Sequence, residues 1–221
     1  YMAVPAESVV SVPEHLTDEQ ASALPCAGLT AWNALAEQGD VTAGHTMATL
    51  GTGGVSSFAL LFGKALGAEV IITSSSDEKL QRAEQVGADH GINYKDKPEW
   101  GRDLKSLTDG VGVDHIVEVG GANTLKQSIR GVRIGGHISL IGVLSGHIDD
   151  FMVTPVLMQN IRIQGVIVGN REMFENMNRA IELHEIEPVI DKTFGWDEVH
   201  EGLDFMAHGK HFGNIAFRVS E

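Results

Sequence analysis

The sequence predicts an α/β fold, a doubly wound sheet of six parallel strands, with pieces of a second domain at the two chain ends. Three observations predict it. A glycine-rich turn, Gly51-Thr52-Gly53-Gly54-Val55-Ser56, lies between an apolar run ending at Leu50 and a helical run opening at Val55. Short segments rich in Val and Ile then alternate with helical segments, the rhythm of parallel strands buried on both faces. Glycines also recur just past successive strand segments, at Gly120, Gly121, Gly142 and Gly169. In such sheets that is where ligands bind.

Taken in order, Tyr1 to Val12 alternate loosely between apolar and polar residues and read as extended chain with one strand. Thr17, ahead of Asp18-Glu19-Gln20, signals a helix start. Ala27 to Gln38 carries Leu29, Trp32, Leu35 and Ala36 at helical spacing and stops at Gly39-Asp40. The expected strands are Thr46–Leu50, Val70–Thr73, Ile92–Tyr94, His115–Val119, His137–Gly142 and Ile161–Val168. The helices between them are expected at Val55–Leu66, Asp77–Val86, Trp100–Leu107 and Thr124–Arg130. Beyond Gly169 the rhythm changes to an amphipathic helix over Arg171–His184, a second helix over Trp196–His208 and a last strand over Ile215–Val219. That strand has no evident partner in the six-strand unit and is expected to join Tyr1–Val12.

The composition narrows the function. Of 221 residues, 43% are hydrophobic and 21% charged, ordinary proportions for a globular chain. Thirty acidic against 16 basic residues give a net charge of −14, which argues against nucleic acid or an anionic membrane surface as partner. The single cysteine, Cys26, allows no internal disulfide and points to a reducing compartment, so a cytoplasmic location is expected. No apolar run approaches the ~20 residues that span a bilayer. The chain starts at Tyr1 in mid-pattern, and an N-terminal part of the natural protein is expected to precede it.

A glycine turn between a strand and a helix is a phosphate cradle. The glycines let backbone amides approach a pyrophosphate, and the helix N-terminus adds free N–H groups and positive dipole charge. The pattern is G-x-G-x-x-S, with Ser56 where the dinucleotide fingerprint has its last glycine; slightly looser helix–strand packing is expected there. An Asp or Glu about 20 residues on normally holds the ribose 2′-hydroxyl of NAD. Here the second strand ends in Ser74, followed by Ser75, Ser76, Asp77 and Lys79. A 2′-phosphate would meet hydroxyls and an ammonium instead of a carboxylate, so NADP is favoured over NAD. Asp77 stands three residues on, and Lys79 reads equally as a solvated helix lysine. Cys26 is either a small buried hydrophobe or a metal ligand. Zinc needs three or four ligands, and the ten histidines show no ligand spacing. No G-x-S-x-G stretch supports a serine hydrolase. A methyltransferase also uses a glycine turn after its first strand, but Gly142 and Gly169 at the ends of strands five and six speak against one.

Several stretches resemble the medium-chain dehydrogenase/reductases, a family that includes alcohol dehydrogenases and quinone oxidoreductases. They are Leu24-Pro25-Cys26-Ala27-Gly28-Leu29-Thr30-Ala31-Trp32, Gly51-Thr52-Gly53-Gly54-Val55, Gly87-Ala88-Asp89-His90-Gly91-Ile92-Asn93-Tyr94, Gly112 to Gly120, and Gly135 to Gly142. The resemblance implies a Rossmann sheet at 29–170 plus remnants of a second, mainly β domain. Residues 1–28 would be a remnant of a GroES-like catalytic domain that is otherwise lacking, and 171–221 would return to it. Gly51, Thr52, Gly53, Gly54 and Val55 would then hold the pyrophosphate. Ser74, Ser75, Lys79 and Tyr94 would surround the adenosine ribose. Thr30, Val119, Gly120, Gly142, Val143, Leu144 and Val168 would line the rest of the cofactor site. Cys26 falls where zinc-dependent members place a catalytic ligand, the others lying in the lacking domain. The implied function is NAD(P)-dependent hydride transfer on an alcohol, aldehyde or ketone. The alternatives are a zinc-independent quinone or enone reductase and a cofactor-binding fragment without catalysis. The catalytic acid is not assigned. A small-molecule substrate and a homodimer through the edge of strand six are expected.

Overall fold

The computed structural model describes residues 3–146, 151 and 153–219. Six strands, β1 Thr46–Leu50, β2 Glu69–Ser74, β3 His90–Asn93, β4 Val113–Glu118, β5 Val132–Leu140 and β6 Arg162–Gly165, form one all-parallel sheet in the order β3-β2-β1-β4-β5-β6. The order reverses beside β1, which opens a crevice at its carboxyl end.

Alternate residues of each strand feed two cores. Met47, Val70, Ile72 and Val117 join one core, while Ala48, Leu50, Ile71 and Ile116 join the other. The first core is closed by α3 Gly54–Ala65, α4 Asp77–Val86, α8 Arg171–Leu183 and the helical run 24–37. That run is α-helical over Leu29–Trp32 (α2) and wound more widely, with π-type bonds, over Leu24–Gly28 and Asn33–Glu37. Phe58 and Phe62 of α3 are fully buried and stacked at 5.6 Å between ring centroids. Burial of each side chain contributes roughly 1.5–3 kcal/mol. The second core is closed by α5 Trp100–Leu107 and α6 Leu125–Gly131 through Trp100, Leu104, Leu125 and Ile129.

The start of the sheet is pinned by Asp114. Its carboxylate accepts from the Thr46 amide at 2.8 Å and from Arg133 Nε at 2.6 Å, tying β1, β4 and β5 together. Ahead of the sheet, α1 Asp18–Ser22 starts at a capping box in which the Thr17 hydroxyl accepts from the Gln20 amide and the Gln20 side chain accepts from the Thr17 amide. After β5 come α7 Val153–Met158 and β6, then α8, β7 Ile190–Gly195, a 3-10 turn at Trp196–Glu198, α9 Val199–Ala207 and β8 Asn214–Arg218.

Three expectations are corrected. Residues 3–12 form no strand but a 3-10 turn at Ala6–Ser8 within extended chain; Tyr1 and Met2 lie outside the described residues. The segment is held instead by α8, where Arg171 Nη1 donates to Glu7 O and Asn178 Nδ2 to Ser11 O. The last strand therefore pairs elsewhere, in parallel with β7. Pro188 and the mixed polarity of Asp191-Lys192-Thr193 hid β7 from a reading based on apolar runs. Finally, strand six is shorter than Ile161–Val168: its ladder with β5 runs from Arg162 to Gly165, and Val168, beyond it, turns at φ 36°.

Candidate functional site

The crevice at β1 is built around Gly51. Its φ of 73° is a left-handed conformation that glycine adopts without strain. It turns the chain out of β1, and the Gly51 amide donates to Thr73 Oγ1 at 3.3 Å, joining the turn to the end of β2. A side chain at Gly51 or Gly53 would point into open space, so the backbone there is bare toward the crevice. From Gly54 the chain enters α3, whose first amides have no helical acceptor and face an incoming ligand. Ser56 is 2% exposed and its hydroxyl donates to Leu50 O at 2.6 Å. The departure from glycine thus ties the helix to the strand instead of loosening their packing.

The ends of β4 and β5 meet over this turn. A Cβ on Gly142 would lie 2.2 Å from Val119 O, and one on Gly121 would lie 3.0 Å from Val143 Cα. Only glycine allows the two loops to pass so closely. Gly120 O then accepts from the Ser145 amide at 2.8 Å and from its hydroxyl at 2.7 Å. A cleft of about 440 Å³ results, lined by Leu50, Gly51, Thr73, Tyr94, Trp100, Val119, Gly120, Asn123, Leu144 and Ser145 among others.

Glu118, which sequence reasoning passed over, organises the β4 end. It is fully buried, and its Oε1 accepts from the amides of Gly120 (2.8 Å) and Gly121 (3.0 Å) and from Thr124 Oγ1 (2.6 Å). Its Oε2 accepts from Ser128 Oγ at 2.5 Å. A buried carboxylate without a cation is costly unless its lone pairs are filled, and here four donors fill them. The signal in the sequence was an acid closing β4 ahead of Gly-Gly, with hydroxyls six and ten residues on.

The remaining predicted residues fall into separate groups. Ser74 is 3% exposed, and its hydroxyl accepts from the Ser76 amide at 3.3 Å. Ser75 follows it in the same turn, before Ser76 caps α4. Asp77 is held at the end of β3, where Asn93 Nδ2 donates to its Oδ1 at 2.7 Å. Lys79 points to the C-terminal part of the chain, its Nζ donating to Gly209 O at 2.5 Å and His211 O at 2.8 Å. Burial lowers the pKa of this ammonium. Thr30 is buried in α2, and Val168 O accepts from Asn33 Nδ2 at 2.9 Å. Val168 faces a second groove of about 480 Å³ with Pro25, Leu29 and Phe174. Val143 is exposed at the mouth of the crevice.

Cys26 is exposed, and no group of three His, Cys, Asp or Glu able to hold a metal occurs among the described residues. These residues alone therefore do not fit a zinc ion. A nicotinamide dinucleotide fits better: the bare glycine backbone, the helix start and the cleft supply an anion site beside an apolar slot.

Residues 54–183 match the family model described as zinc-binding dehydrogenase. A zinc-type alcohol dehydrogenase-like protein of Schizosaccharomyces pombe is 41% identical over 99% of this chain and 65% of its own length. A Sinorhizobium meliloti crystal structure, provisionally named an alcohol dehydrogenase, superposes with a TM-score of 0.89 at 44% identity, over 95% of this chain and 61% of that one. The crystal structure of an NAD-dependent alcohol dehydrogenase gives a TM-score of 0.92 at 28% identity, over 98% of this chain and 63% of that one. The chain thus spans somewhat under two thirds of the length of the relatives it matches.

Proposed function

The chain belongs to the zinc-binding dehydrogenase family, within the medium-chain dehydrogenase/reductases, and from that membership we propose that it is the nucleotide-binding part of an NAD(P)-dependent oxidoreductase. The reaction we assign is hydride transfer between a nicotinamide and an alcohol, aldehyde or ketone. The observation that carries this reading is the bare turn Gly51–Gly53 opening α3 beneath the joined ends of β4 and β5.

The chain's own residues bind and orient. Gly51, Thr52, Gly53, Gly54 and Val55 would receive the pyrophosphate on backbone amides. Tyr94, Val119, Gly120 and Leu144 would flank the dinucleotide along the cleft, and Gly142, Val143, Val168 and Thr30 would bound its nicotinamide end. The cofactor, when bound, supplies hydride chemistry; the protein supplies position. NADP is favoured over NAD. Ser74 and Ser75 offer hydroxyls where a carboxylate would hold the 2′-hydroxyl, and Asn93 keeps Asp77 occupied. Two of the three Lys79 protons are engaged, which leaves the third for a 2′-phosphate.

Residues 29–170 form the nucleotide-binding domain in this reading, and 1–28 and 171–221 belong with a catalytic domain. Zinc, held by Cys26 with ligands from outside these residues, is the alcohol dehydrogenase version. The metal-free version is a quinone or enone reductase, and metal analysis with an alcohol-oxidation assay on a longer chain separates the two. The substrate is a small molecule, the location cytoplasmic, and the assembly a dimer through β6. The 221 residues by themselves are expected to bind cofactor with little turnover. Titration of NADPH, NADH and S-adenosylmethionine into the protein tests the core of the proposal. Tight NADPH binding is expected. Preference for S-adenosylmethionine would sink the dehydrogenase reading, and tighter NADH binding would reverse the cofactor choice.

A further inference from the structure

Residues 209–213, a strap between α9 and β8, are fastened to the nucleotide site from two sides. On the first side, the Gly213 amide donates to Thr52 O at 2.8 Å, and Gly213 pairs with Gly53 in an isolated parallel bridge. The next residue, Asn214, lies over Gly54 so closely that a Cβ there would come within 2.3 Å of Asn214 Oδ1. The strap thus forms the outer wall of the glycine turn. On the second side is α4. Lys79 Nζ clamps the carbonyls of Gly209 and His211. One helical turn on, Arg82 lies 4.7 Å from the Phe212 ring centre and pairs with Asp191 at 2.6 Å. Phe212 itself is 1% exposed.

The two attachments differ in kind. Phe212 is anchored by burial, but the backbone on either side of it is free to re-form. Gly209 and Gly213 both sit at positive φ, 60° and 80°, and recover wide conformational freedom once released. The Lys79 ammonium fixes two carbonyls of this backbone, Gly209 O and His211 O, through charge-assisted bonds that are stronger than neutral ones.

We propose that Lys79 is a positioning residue for the phosphate turn: by clamping the strap it keeps Gly213 on Thr52 and Gly53 and holds the turn ready for a pyrophosphate. The inference rests on the reading of residues 51–56 as a nucleotide site and adds the element that preorganises it. Without the clamp, binding has to order the strap as well as the ligand, and that cost appears as lost affinity. The loss falls on ligands that use the turn, whatever they carry on the 2′ position.

The test uses the 221-residue chain as wild type, Lys79→Met and Lys79→Arg. Affinities for ADP-ribose, NADH and adenosine are measured by titration, and amide exchange of residues 209–214 is followed without nucleotide. Lys79→Met is expected to weaken ADP-ribose and NADH about tenfold. It leaves adenosine, which carries the ribose but no phosphate, within about twofold of wild type. It also speeds exchange at the Gly213 amide. Lys79→Arg, which keeps the positive charge and several donors, is expected to restore both. A parallel loss for adenosine would make Lys79 a direct ribose contact and overturn the proposal. Unchanged ADP-ribose affinity in Lys79→Met would overturn it too, reducing the clamp to a structural staple. A wild-type chain that binds no ADP-ribose defeats the nucleotide reading and the proposal together.

Discussion

Two buried polar groups carry consequences that can be measured. Glu118 fills its lone pairs with two amides and two hydroxyls. Glu118→Ala strands all four donors in the interior at roughly 1–3 kcal/mol for each one that water cannot reach. The expected outcome is a loss of about 3 kcal/mol or more in denaturant-midpoint stability. Glu118→Gln, which keeps one acceptor oxygen for the Gly120 and Gly121 amides, should lose less; equal losses would show that the oxygens are not what matters. The second group is the pair His115 and His137 on β4 and β5, their rings 4.6 Å apart and tilted by 47°. Both His115 nitrogens are buried, without a hydrogen-bond partner among the described residues. Burial, the neighbouring His137 and Arg162 push the His115 pKa down to about 3, and burial with Arg162 pushes His137 down to about 4. Each folded value lies below the unfolded one near 6.5, so the unfolded chain takes up these protons first. The stabilisation is therefore complete above pH ~6.5 and is lost as pH falls toward 4 and then 3, at about 1.4 kcal/mol per pH unit for each ring. His115→Leu is expected to flatten the fall in Tm between pH 6.5 and 4.5. An unaltered pH profile in that variant would assign the acid sensitivity elsewhere.

At the scale of elements, α3 and β8 approach each other closely. Gly54 opens α3 with Asn214 Oδ1 and Ala27 Cβ against it, at 2.3 and 3.2 Å from where a Cβ would stand. Alanine suits a helix better than glycine by about 1 kcal/mol, yet Gly54→Ala is expected to destabilise, because the carboxamide must leave and takes its bond to Val189 O with it. Nucleotide affinity should fall with stability, and the double variant Gly54→Ala with Asn214→Ala should recover part of both. If Gly54→Ala stabilises the protein, the close approach is not rigid. This contact also marks where the sequence stopped being legible. The α/β alternation could be read because buried parallel strands are runs of Val and Ile, and caps such as Ser76 before Asp77 fix helix starts locally. The glycines at Gly51, Gly120 and Gly142 could be read because tight turns demand them. Strand β7 and the strap were not legible. The polar residues Asp191-Lys192-Thr193 mask β7, while the strap depends on Lys79 reaching Gly209 and the N-terminal segment on Asn178 reaching Ser11, partners more than a hundred residues away that no local pattern encodes. Glu118 was missed for a related reason, since a buried acid is identified only by the donors that surround it.

On the scale of the whole molecule, the sheet has two edges, and they are unlike. The edge at β3 runs into Lys95, Asp96 and Lys97, charges that discourage another strand from pairing there. The β6 edge has one charged strand residue, Arg162, whose guanidinium is taken up by Gln38 O. Beside this edge Val153, Leu157, Met158 and Ile167 are 63%, 78%, 75% and 89% exposed, and Ile134 at the start of β5 is 70% exposed. These exposed apolar side chains are grouped at one edge. No described helix is long and apolar enough to cross a membrane. Two copies related by a two-fold axis would extend the sheet through β6 and bury α7 on both sides, the self-complementary arrangement of most dimers. Leu157→Lys places a charge in that contact while touching nothing in the nucleotide cleft. Sedimentation of the wild-type chain should give a dimer and that of Leu157→Lys a monomer, with NADPH affinity retained in both. A monomeric wild type at concentrations of about 100 μM, well above the Kd of a stable dimer, would leave the β6 edge without this role.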